Sequence, residues 1–166
     1  MIIIGLGGNL PSRFGPPGNT LQQALRIMGE RGITPISCSP CYGSSPVPVS
    51  DQPDYVNAVA LVETSLSPWG LLSQMLSIEQ DLGRIRGEAN AARTIDLDLL
   101  AYGEVCMQGQ DRAAPGLLLP HPRLHLRAFV LAPLCDIAPD WIHPGLGLSA
   151  RALYAALPET RGIWRI

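Results

Sequence analysis

Two aspartates lie two residues apart in the segment RTIDLDLL at residues 93–100. Apolar and acidic residues alternate there, which is typical of a β-strand because successive side chains of a strand point to opposite faces. Asp96 and Asp98 would therefore share one face, roughly 7 Å apart by strand rise. That separation can hold one or two hard divalent cations between the carboxylates, phosphate oxygens and water. A solvated strand face that happens to carry two acids is the alternative explanation.

Arginines border the loop before this segment, at Arg84, Arg86 and Arg93. The planar guanidinium group can bind two phosphate oxygens at once, so arginines beside paired carboxylates fit a metal-bound polyphosphate. A solvated basic loop is the alternative. Glu79, on the helix before the loop, is expected to pair with Arg86 or Arg93 or to border the apolar face of its helix. His121 fits a phosphate contact and a structural histidine equally well.

A second polar pair lies in DQPDYVNA at residues 51–58. Tyr55 and Asn57 share a strand face by the same two-residue period. A flat ring could stack on Tyr55, while the Asn57 amide offers one donor and one acceptor to the edge of a heterocycle. Phe129 is a candidate second wall for such a ring. Ordinary sheet packing for the pair and a core position for Phe129 are the alternatives.

Composition limits the classes of function that these residues can serve. The chain has 166 residues and a net charge of −2, and all 12 basic residues are arginines. The absence of lysine excludes Schiff-base chemistry, a Walker A loop and the lysine of protein kinases. A nearly neutral chain does not favour a polyanion such as nucleic acid as partner. No apolar run reaches membrane-spanning length, the start does not resemble a signal peptide, and four scattered cysteines indicate a reducing, cytoplasmic compartment.

The order of predicted elements is roughly β-α-β-β-α-β with additional pieces after residue 102. This order predicts an α+β, ferredoxin-like sandwich, with an antiparallel sheet and helices packed on one of its faces, in a single domain over residues 1–166. The predicted strands are 1–6, ended by a glycine turn at 7–9, then 33–42, 55–63 and 94–102. The predicted helices are one capped by Asn19 and ending before Gly32, one capped by Ser67 and continuing to Leu82, and short ones at 127–138 and 149–157, with long loops at 43–54 and 87–92.

Taken together, these stretches resemble the 6-hydroxymethyl-7,8-dihydropterin pyrophosphokinase family of folate biosynthesis. The resemblance extends over most of the chain, and RTIDLD with DQPDYVNA is its most specific part. It implies a ferredoxin-like fold and the transfer of a diphosphoryl group from ATP, the co-substrate, to the hydroxymethyl oxygen of a reduced pterin, giving AMP. The segments that carry it, in chain order, are GLGGNL, DQPDYVNA, IEQDLGRIR, RTIDLDLL, LPHPRLHLRAFVLAPL and DIAP.

The resemblance also implies a role for individual residues. As catalytic residues, Asp96 and Asp98 would hold two Mg²⁺ ions, and Arg84 and Arg93 would contact the phosphates of ATP. The residues assigned to nucleotide binding are Glu79, Arg86, His121 and Arg127. The residues assigned to the pterin are Gly7, Gly8, Ser44, Ser45, Pro46, Val47, Tyr55, Asn57 and Phe129, with Tyr55 and Phe129 enclosing the ring and Asn57 reading its edge.

The expected partners are therefore two small molecules, ATP and a reduced pterin, without nucleic acid or membrane, and the expected state is a monomer. Two other functions stay open at this point. A metal-dependent phosphohydrolase or nuclease could use the same aspartates, although it would need a wide basic track that this chain does not obviously offer. A non-catalytic ferredoxin-like ligand-binding domain is the other, although such a module has no reason to keep RTIDLD and DQPDYVNA together.

Overall fold

The computed structural model describes residues 1–85, 91–109, 116–158, 160 and 162–166. The strands are β1 (Ile2–Gly8), β2 (Thr34–Cys38), β3 (Tyr42–Ser44), β4 (Tyr55–Glu63), β5 (Asp96–Tyr102), β6 (Met107–Gln108), β7 (Leu118–Leu119) and β8 (Ile163–Arg165). The helices are α1 (Pro17–Glu30), α2 (Pro68–Asp81), α3 (Ala128–Ile137) and α4 (Ala150–Ala155), and a 3₁₀ turn at Leu124–Leu126 precedes α3.

The main sheet is antiparallel and follows the order β5-β1-β4-β3-β8, with β2 pairing to β4 as well. The strands β2 and β3 follow one another along β4 and together fill the place of the second strand in a β-α-β-β-α-β motif. The resulting order, with β1 and β4 in the centre, β5 outside β1 and β2 with β3 outside β4, is that of the ferredoxin-like fold. The predicted fold class is therefore confirmed.

Helices cover both faces of the sheet, which corrects the expectation that they would lie on one face. Ile2, Ile4 and Leu6 of β1 belong to the core cluster beneath α1 and α2. Ile3 belongs to a second core cluster beneath α3 and α4. A continuous apolar run such as that of β1 is typical of a strand buried on both faces.

Several boundaries agree with the local signals in the sequence. The predicted strand at 55–63 has the bounds of β4. Ser67 caps α2, since its Oγ accepts a hydrogen bond from the Gly70 N–H, and Pro68 occupies the first helical position. Ser149 caps α4 in the same way. Such caps satisfy N–H groups that have no partner within the helix, which explains their strong sequence signal.

The start of α1 was predicted wrongly at Asn19. The helix begins at Pro17, with Pro16 before it, because the fixed φ of proline suits the first helical turn and its missing N–H is no loss there. The Asn19 side chain instead donates a hydrogen bond to the carbonyl of Phe14. It therefore secures the loop before the helix rather than the helix itself.

The predicted turn at 7–9 is also wrong, because β1 continues through Gly7 and Gly8. Both glycines keep their places in the ladder, opposite Asn57 and Val56 of β4. Glycine weakens an isolated strand through its backbone freedom, but pairing with β4, and for Gly7 also with β5, outweighs that preference here.

The predicted strand at 33–42 is divided into β2 and β3, and β3 takes the first residues of the predicted loop at 43–54. At the division, the Ser39 N–H donates to the Val59 carbonyl at 2.9 Å, and the Val59 N–H donates to Ser39 Oγ at 3.0 Å. The next residue, Pro40, has no N–H to continue the ladder. A side-chain oxygen therefore replaces a backbone partner at the break.

Candidate active site

One rung of the sheet joins polar residues that are far apart in the chain. Asn57 of β4 lies opposite Gly7 of β1, and Gly7 lies opposite Asp96 of β5. Directly opposed residues of antiparallel strands project from the same face. Asn57 and Asp96 therefore rise from the α3 side of the sheet, two strand spacings or roughly 10 Å apart.

The strand between them carries glycine at the two positions of this face that follow Ile3. Gly5 lies opposite Asp98, two residues from Gly7 and on the same side. A Cβ at Gly7 would come within 3.3 Å of Asn57 Oδ1, and one at Gly5 within 3.2 Å of Leu100 Cδ1. We call this stretch the glycine floor, defined by Gly5 and Gly7. Because neither residue has a side chain, Leu100 and Asn57 approach the β1 backbone closely there.

Two arginines bind Asp96 on one side of the glycine floor. The Arg84 Nη1 lies 2.6 Å from Asp96 Oδ1, and the Arg93 Nη1 lies 2.8 Å from Asp96 Oδ2. Asp98 is less firmly held, since its Oδ2 is 3.5 Å from Arg127 Nη1. We call these five residues the acid–arginine cluster. Three cations converging on two carboxylates make a site that can exchange partners with phosphate oxygens.

Glu79 supports this cluster from beneath and is only 1% exposed. It accepts hydrogen bonds from the N–H of Leu97, at 2.7 Å, and from the Arg84 guanidinium. Burial raises the pKa of Glu79 above its ordinary value, against the lowering effects of the Leu97 N–H and Arg84, and Asp96 raises it further. Of the alternatives left open for Glu79, pairing with Arg93 is wrong, because Arg93 pairs with Asp96, and pairing with Arg86 concerns a residue outside the described ranges.

Asp98 and His121 are close enough for the charge of each to shift the pKa of the other. Partial burial raises the pKa of Asp98, and so does the charge of Asp96, while His121 and Arg127 lower it. Burial lowers the pKa of His121, and the charge of Asp98 opposes that shift. The His121 Nδ1 accepts a hydrogen bond from the N–H of Arg123 at 3.1 Å. A neutral His121 therefore carries its proton on Nε2, which can donate to an anion.

On the other side of the glycine floor, Asn57 is buried with 6% of its surface exposed. Its Nδ2 donates to Ser44 Oγ at 2.9 Å and more weakly to the Tyr42 carbonyl at 3.4 Å. The Tyr55 hydroxyl donates to Gln52 Oε1 at 3.3 Å. We call Ser44, Tyr55 and Asn57 the amide slot. The Asn57 amide is held in one orientation, which a site that recognises the polar edge of a ring requires.

Phe129 lies in the first turn of α3, on the face of the sheet that carries both groups. Its ring packs against the core cluster under α3, which agrees with the core position that was the alternative for Phe129. The Arg127 guanidinium carbon lies 5.4 Å from the centre of that ring, a cation–π distance. Since Arg127 also pairs with Asp98, the aromatic side chain is in contact with the acid–arginine cluster.

Gly8 has a packing reason to be glycine in this structure. A Cβ there would come within 2.5 Å of the Thr94 carbonyl oxygen. The segment leading into β5 therefore approaches the end of β1 very closely. A side chain at residue 8 would therefore push this segment away from β1.

The remaining predicted residues lie after β3 or beyond the described residues. The Ser45 N–H donates to the Gly162 carbonyl, just before β8. Pro46 is buried, whereas the side chain of Val47 is 80% exposed. Arg86 lies outside the residues that the structure describes.

Sequence reasoning did not select Gly5, Gln52 or Asn9 as part of the site. Gly5 had a usable signal, since two glycines two residues apart in a strand must share a face. Gln52 and Asn9 form hydrogen bonds that join segments distant in the chain, and a local sequence pattern does not predict such bonds.

The cluster does not hold a metal by protein ligands alone. Within the described ranges, no group of three or more His, Cys, Asp and Glu side chains is arranged to bind a metal ion. A cation between Asp96 and Asp98 would therefore need further oxygen ligands from a bound substrate or water. In the same ranges, no helix is both long and apolar enough to cross a membrane.

Fold and site together define a ferredoxin-like α+β domain that carries, on one face of its sheet, a cluster of arginines and carboxylates beside a buried, hydrogen-bonded amide. A family model described as 7,8-dihydro-6-hydroxymethylpterin-pyrophosphokinase (HPPK) matches residues 3–139. The chain belongs to this family, and it is an enzyme of the pyrophosphokinase type, as the resemblance implied.

Relatives and solved structures agree with this assignment. The chain is 43% identical over 146 residues to the 2-amino-4-hydroxy-6-hydroxymethyldihydropteridine pyrophosphokinase of Synechocystis sp., covering 87% of this chain and 70% of that protein. It is 38% identical over 158 residues to the enzyme of the same name from Pseudomonas aeruginosa, covering 95% and 91%. A crystal structure of Plasmodium falciparum HPPK-DHPS superposes with a TM-score of 0.72 at 14% identity, covering 93% of this chain and 42% of that one.

Some relatives are much longer than this chain. It spans 20% of the folic acid synthesis protein fol1 of Pneumocystis carinii, at 38% identity over 158 residues. The likeness at 14% identity concerns the fold alone. None of these matches favours a phosphohydrolase, a nuclease or a non-catalytic binding domain.

Proposed function

We propose that this chain transfers the terminal diphosphoryl group of ATP to the hydroxymethyl oxygen of 6-hydroxymethyl-7,8-dihydropterin, giving AMP and the pterin diphosphate of folate biosynthesis. The observation that carries the proposal is the shared rung of Asn57, Gly7 and Asp96. It sets a ring-recognising amide and a phosphate-binding cluster on one face, with only the glycine floor between them.

We assign the nucleotide phosphates to the acid–arginine cluster. Arg84 and Arg93 would bind phosphate oxygens, and the Nε2–H of His121 would donate to one. Arg127, at the start of α3, would take part from the Phe129 side. Glu79 would not touch the nucleotide, because it is buried beneath Arg84, and its proposed role is to position that guanidinium.

Two magnesium ions fit the same cluster. Carboxylate oxygens are the ligands Mg²⁺ prefers, and protein sites commonly supply only one or two of them, with phosphate and water supplying the rest. Asp96 and Asp98 share a face, and the pKa of Asp98 is raised partly by the charge of Asp96, a repulsion that a cation would relieve. Bound magnesium would neutralise charge on the phosphate oxygens during transfer.

The amide slot would bind the pterin. The ring would stack on Tyr55 with Phe129 as the opposite wall, and the Asn57 amide would pair with the ring edge. The backbone at Gly7 and Gly8 and the segment from Ser44 to Val47 would complete the pocket. An amide fixed by neighbouring hydrogen bonds rejects rings that lack the matching edge, because a mismatch leaves buried polar atoms unpaired.

The reaction is a displacement at the β-phosphorus. The hydroxymethyl oxygen forms the new P–O bond, the bond between the β-phosphorus and the oxygen bridging to the α-phosphorus breaks, and AMP leaves. Such reactions need alignment and charge neutralisation more than a strong base. We therefore assign no side chain as general base, and the hydroxyl proton can pass to solvent or to an aspartate.

The direct test is to incubate the purified chain with Mg-ATP and the reduced hydroxymethylpterin and to identify the products. AMP and pterin diphosphate in equal amounts are expected. ADP or inorganic phosphate formed without pterin would indicate a phosphohydrolase instead. Binding of both ligands without any product would indicate a non-catalytic domain.

The extent and state of the molecule are part of the proposal. A single pyrophosphokinase domain over residues 1–166 is supported by the sheet, which includes β1 at one end of the chain and β8 at the other. A monomer in the cytoplasm with ATP and pterin as its only partners is the accompanying proposal. Light scattering coupled to gel filtration tests the monomer directly, since a dimer would give twice the mass.

Replacing Asn57 with alanine is expected to weaken pterin binding by about 2 kcal/mol, or about 30-fold in Kd, because the ring edge loses its partner. Titration calorimetry with pterin, in the presence of a non-hydrolysable ATP analogue, measures the change. Ser44→Ala is the matched comparison, since it removes only the hydrogen bond that orients the amide and should cost less. Unchanged pterin affinity in Asn57→Ala would exclude the amide from recognition.

Replacing Gly7 with alanine is expected to raise the pterin Kd at least about tenfold, because the new methyl group would press on Asn57 Oδ1 and displace the amide. The nucleotide Kd should change much less. Gly18→Ala is the control, because a Cβ at Gly18 meets no atom within 4 Å and the residue lies in α1, where alanine is preferred. Equal effects on both ligands would contradict a pterin-side role for the glycine floor.

A further inference from the structure

Arg123 is an exposed cation at the border of the acid–arginine cluster. Its backbone N–H donates to His121 Nδ1 at 3.1 Å, so the two residues are fixed to each other. The next residue, Leu124, is 0% exposed in the core cluster beneath α3, and its N–H donates to the His121 carbonyl at 2.9 Å. The turn that carries Arg123 is therefore anchored in the core, while Arg123 itself stays in contact with solvent.

Arg123 brings a positive charge that is not matched by a carboxylate. The three arginines of the acid–arginine cluster each pair with one of its two acids, whereas Arg123 has no ion pair among the residues that the structure describes. Burial lowers the pKa of Arg127, and the like charge of Arg123 lowers it further, against the raising effect of Asp98. Burial also lowers the pKa of His121, and Arg127 and Arg123 add to that shift. Arg123 is therefore close enough to both groups to add to the positive charge beside Asp98.

The segment that carries Arg123 follows the outer edge of the main sheet. β5 is the outermost strand, and β1 pairs with its inner side. The His121 N–H donates to the Leu100 carbonyl of β5 at 2.8 Å. Backbone hydrogen bonds of a strand run sideways from it, so this segment lies on the side of β5 that β1 does not occupy. The carboxylates of β5 therefore separate Arg123 from the amide slot.

The outer edge of β5 is also where the leaving nucleotide would lie. In a displacement at the β-phosphorus, the attacking and leaving oxygens are roughly in line on opposite sides of the phosphorus. The hydroxymethyl oxygen would come from the amide slot, so the α-phosphate would lie on the opposite side, toward residues 121–123. When the bond to the β-phosphorus breaks, its electron pair stays on the bridging oxygen and negative charge grows on AMP. A guanidinium at this edge can bind that charge with two hydrogen bonds.

We propose that Arg123 is a further catalytic residue, which binds the α-phosphate of ATP and stabilises the AMP that leaves. The inference rests on the proposed function, since it takes the amide slot as the pterin site and the carboxylates of β5 as the site of the transferred group. The Nε2–H of His121 would donate to the same phosphate, because the Arg123 N–H keeps the other ring nitrogen as an acceptor. The backbone and the side chain of Arg123 then serve one phosphate in two ways.

The test compares two ligands by calorimetry in magnesium: AMP, which carries only the α-phosphate, and inorganic pyrophosphate, which resembles the transferred group. Arg123→Gln keeps the backbone N–H that holds His121 but removes the charge. We expect it to raise the Kd of AMP about tenfold or more, the usual effect of losing a hydrogen bond to a charged group, and the Kd of pyrophosphate by less than about twofold. Arg26→Gln is the matched control, because it removes the same charge from an exposed pair with Glu30 on α1 and should change neither Kd.

Two further variants complete the test. Arg123→Lys keeps the charge and should regain part of the AMP affinity, and Arg123→Ala takes the place of Arg123→Gln if that variant does not fold. Wild-type AMP affinity in the charge-removing variant, or equal losses for AMP and pyrophosphate, would overturn the assignment to the α-phosphate. Either result leaves the proposed function intact if the wild-type chain forms AMP and pterin diphosphate, whereas a wild-type chain that forms neither product overturns both.

Discussion

Asp98→Asn is expected to lower kcat by about a thousandfold while the fold is kept. The amide has nearly the shape of the carboxylate, but it lacks the charge that would hold magnesium at the transferred phosphates. Losing one group aimed at the charge of a phosphoryl transition state typically costs two to three orders of magnitude. Asp98 is the more selective choice of the two acids, because Arg127, at 3.5 Å, is the only cation among the described residues that pairs with it.

Steady-state kinetics across a magnesium titration, with far-UV circular dichroism, measures this effect. We expect the variant to need more magnesium for half-maximal activity. Asp96→Asn should also lose activity, but it releases Arg84 and Arg93 as well and is therefore less selective. Asp140→Asn, an exposed acid paired with Arg151, is the control and should leave kcat unchanged. Turnover near wild type in Asp98→Asn would remove the metal assignment.

The sheet could be predicted where the sequence carries local signals. The alternation of RTIDLDLL located β5, and the run YVNAVALVE located β4 to the residue. Ser67 before Pro68 located the start of α2, because capping depends on residues within one turn. Which faces the helices cover could not be read in this way. A strand such as Ile2–Leu6 that is apolar on both sides says only that both faces are buried.

The candidate site, like the fold, was predictable only where the signal is local in the sequence. Strand periodicity alone put Asp96 with Asp98 and Tyr55 with Asn57, each pair on one face. It could not show that the two faces coincide, because that depends on the register of β4 and β5 against Gly7 in β1. Register is a property of three strands that are distant in sequence, so one strand's pattern does not contain it.

The contact of Glu79 with Arg84 shows a second limit. The two residues are five apart, a spacing that does not bring side chains together along a continuous helix. The contact forms because α2 ends at Asp81 and the chain turns through Gly83, whose φ is +87°. Helical spacing therefore placed Glu79 only at the border of an apolar helix face, whereas the turn brings Arg84 back to pair with it.

Arg84→Met is expected to lower kcat by about a hundredfold or more. Arg84 is the one described cation that binds both Glu79 and Asp96, and it is proposed to bind phosphate, so its charge serves the transferred group directly. The variant also leaves Glu79 buried without its cation. Since breaking a buried ion pair by removing one partner is costly, thermal unfolding should show a lower stability as well.

Glu79→Gln separates these two effects. Glutamine keeps an oxygen to accept the Leu97 N–H but gives up the charge that holds Arg84. If Arg84 binds phosphate itself, Glu79→Gln costs much less kcat than Arg84→Met, and the double variant Glu79→Gln/Arg84→Met regains stability without regaining turnover. If Arg84 serves only to neutralise Glu79, the double variant recovers both. Comparing kcat with the unfolding free energy in this cycle therefore decides whether the guanidinium acts on the substrate or on the fold.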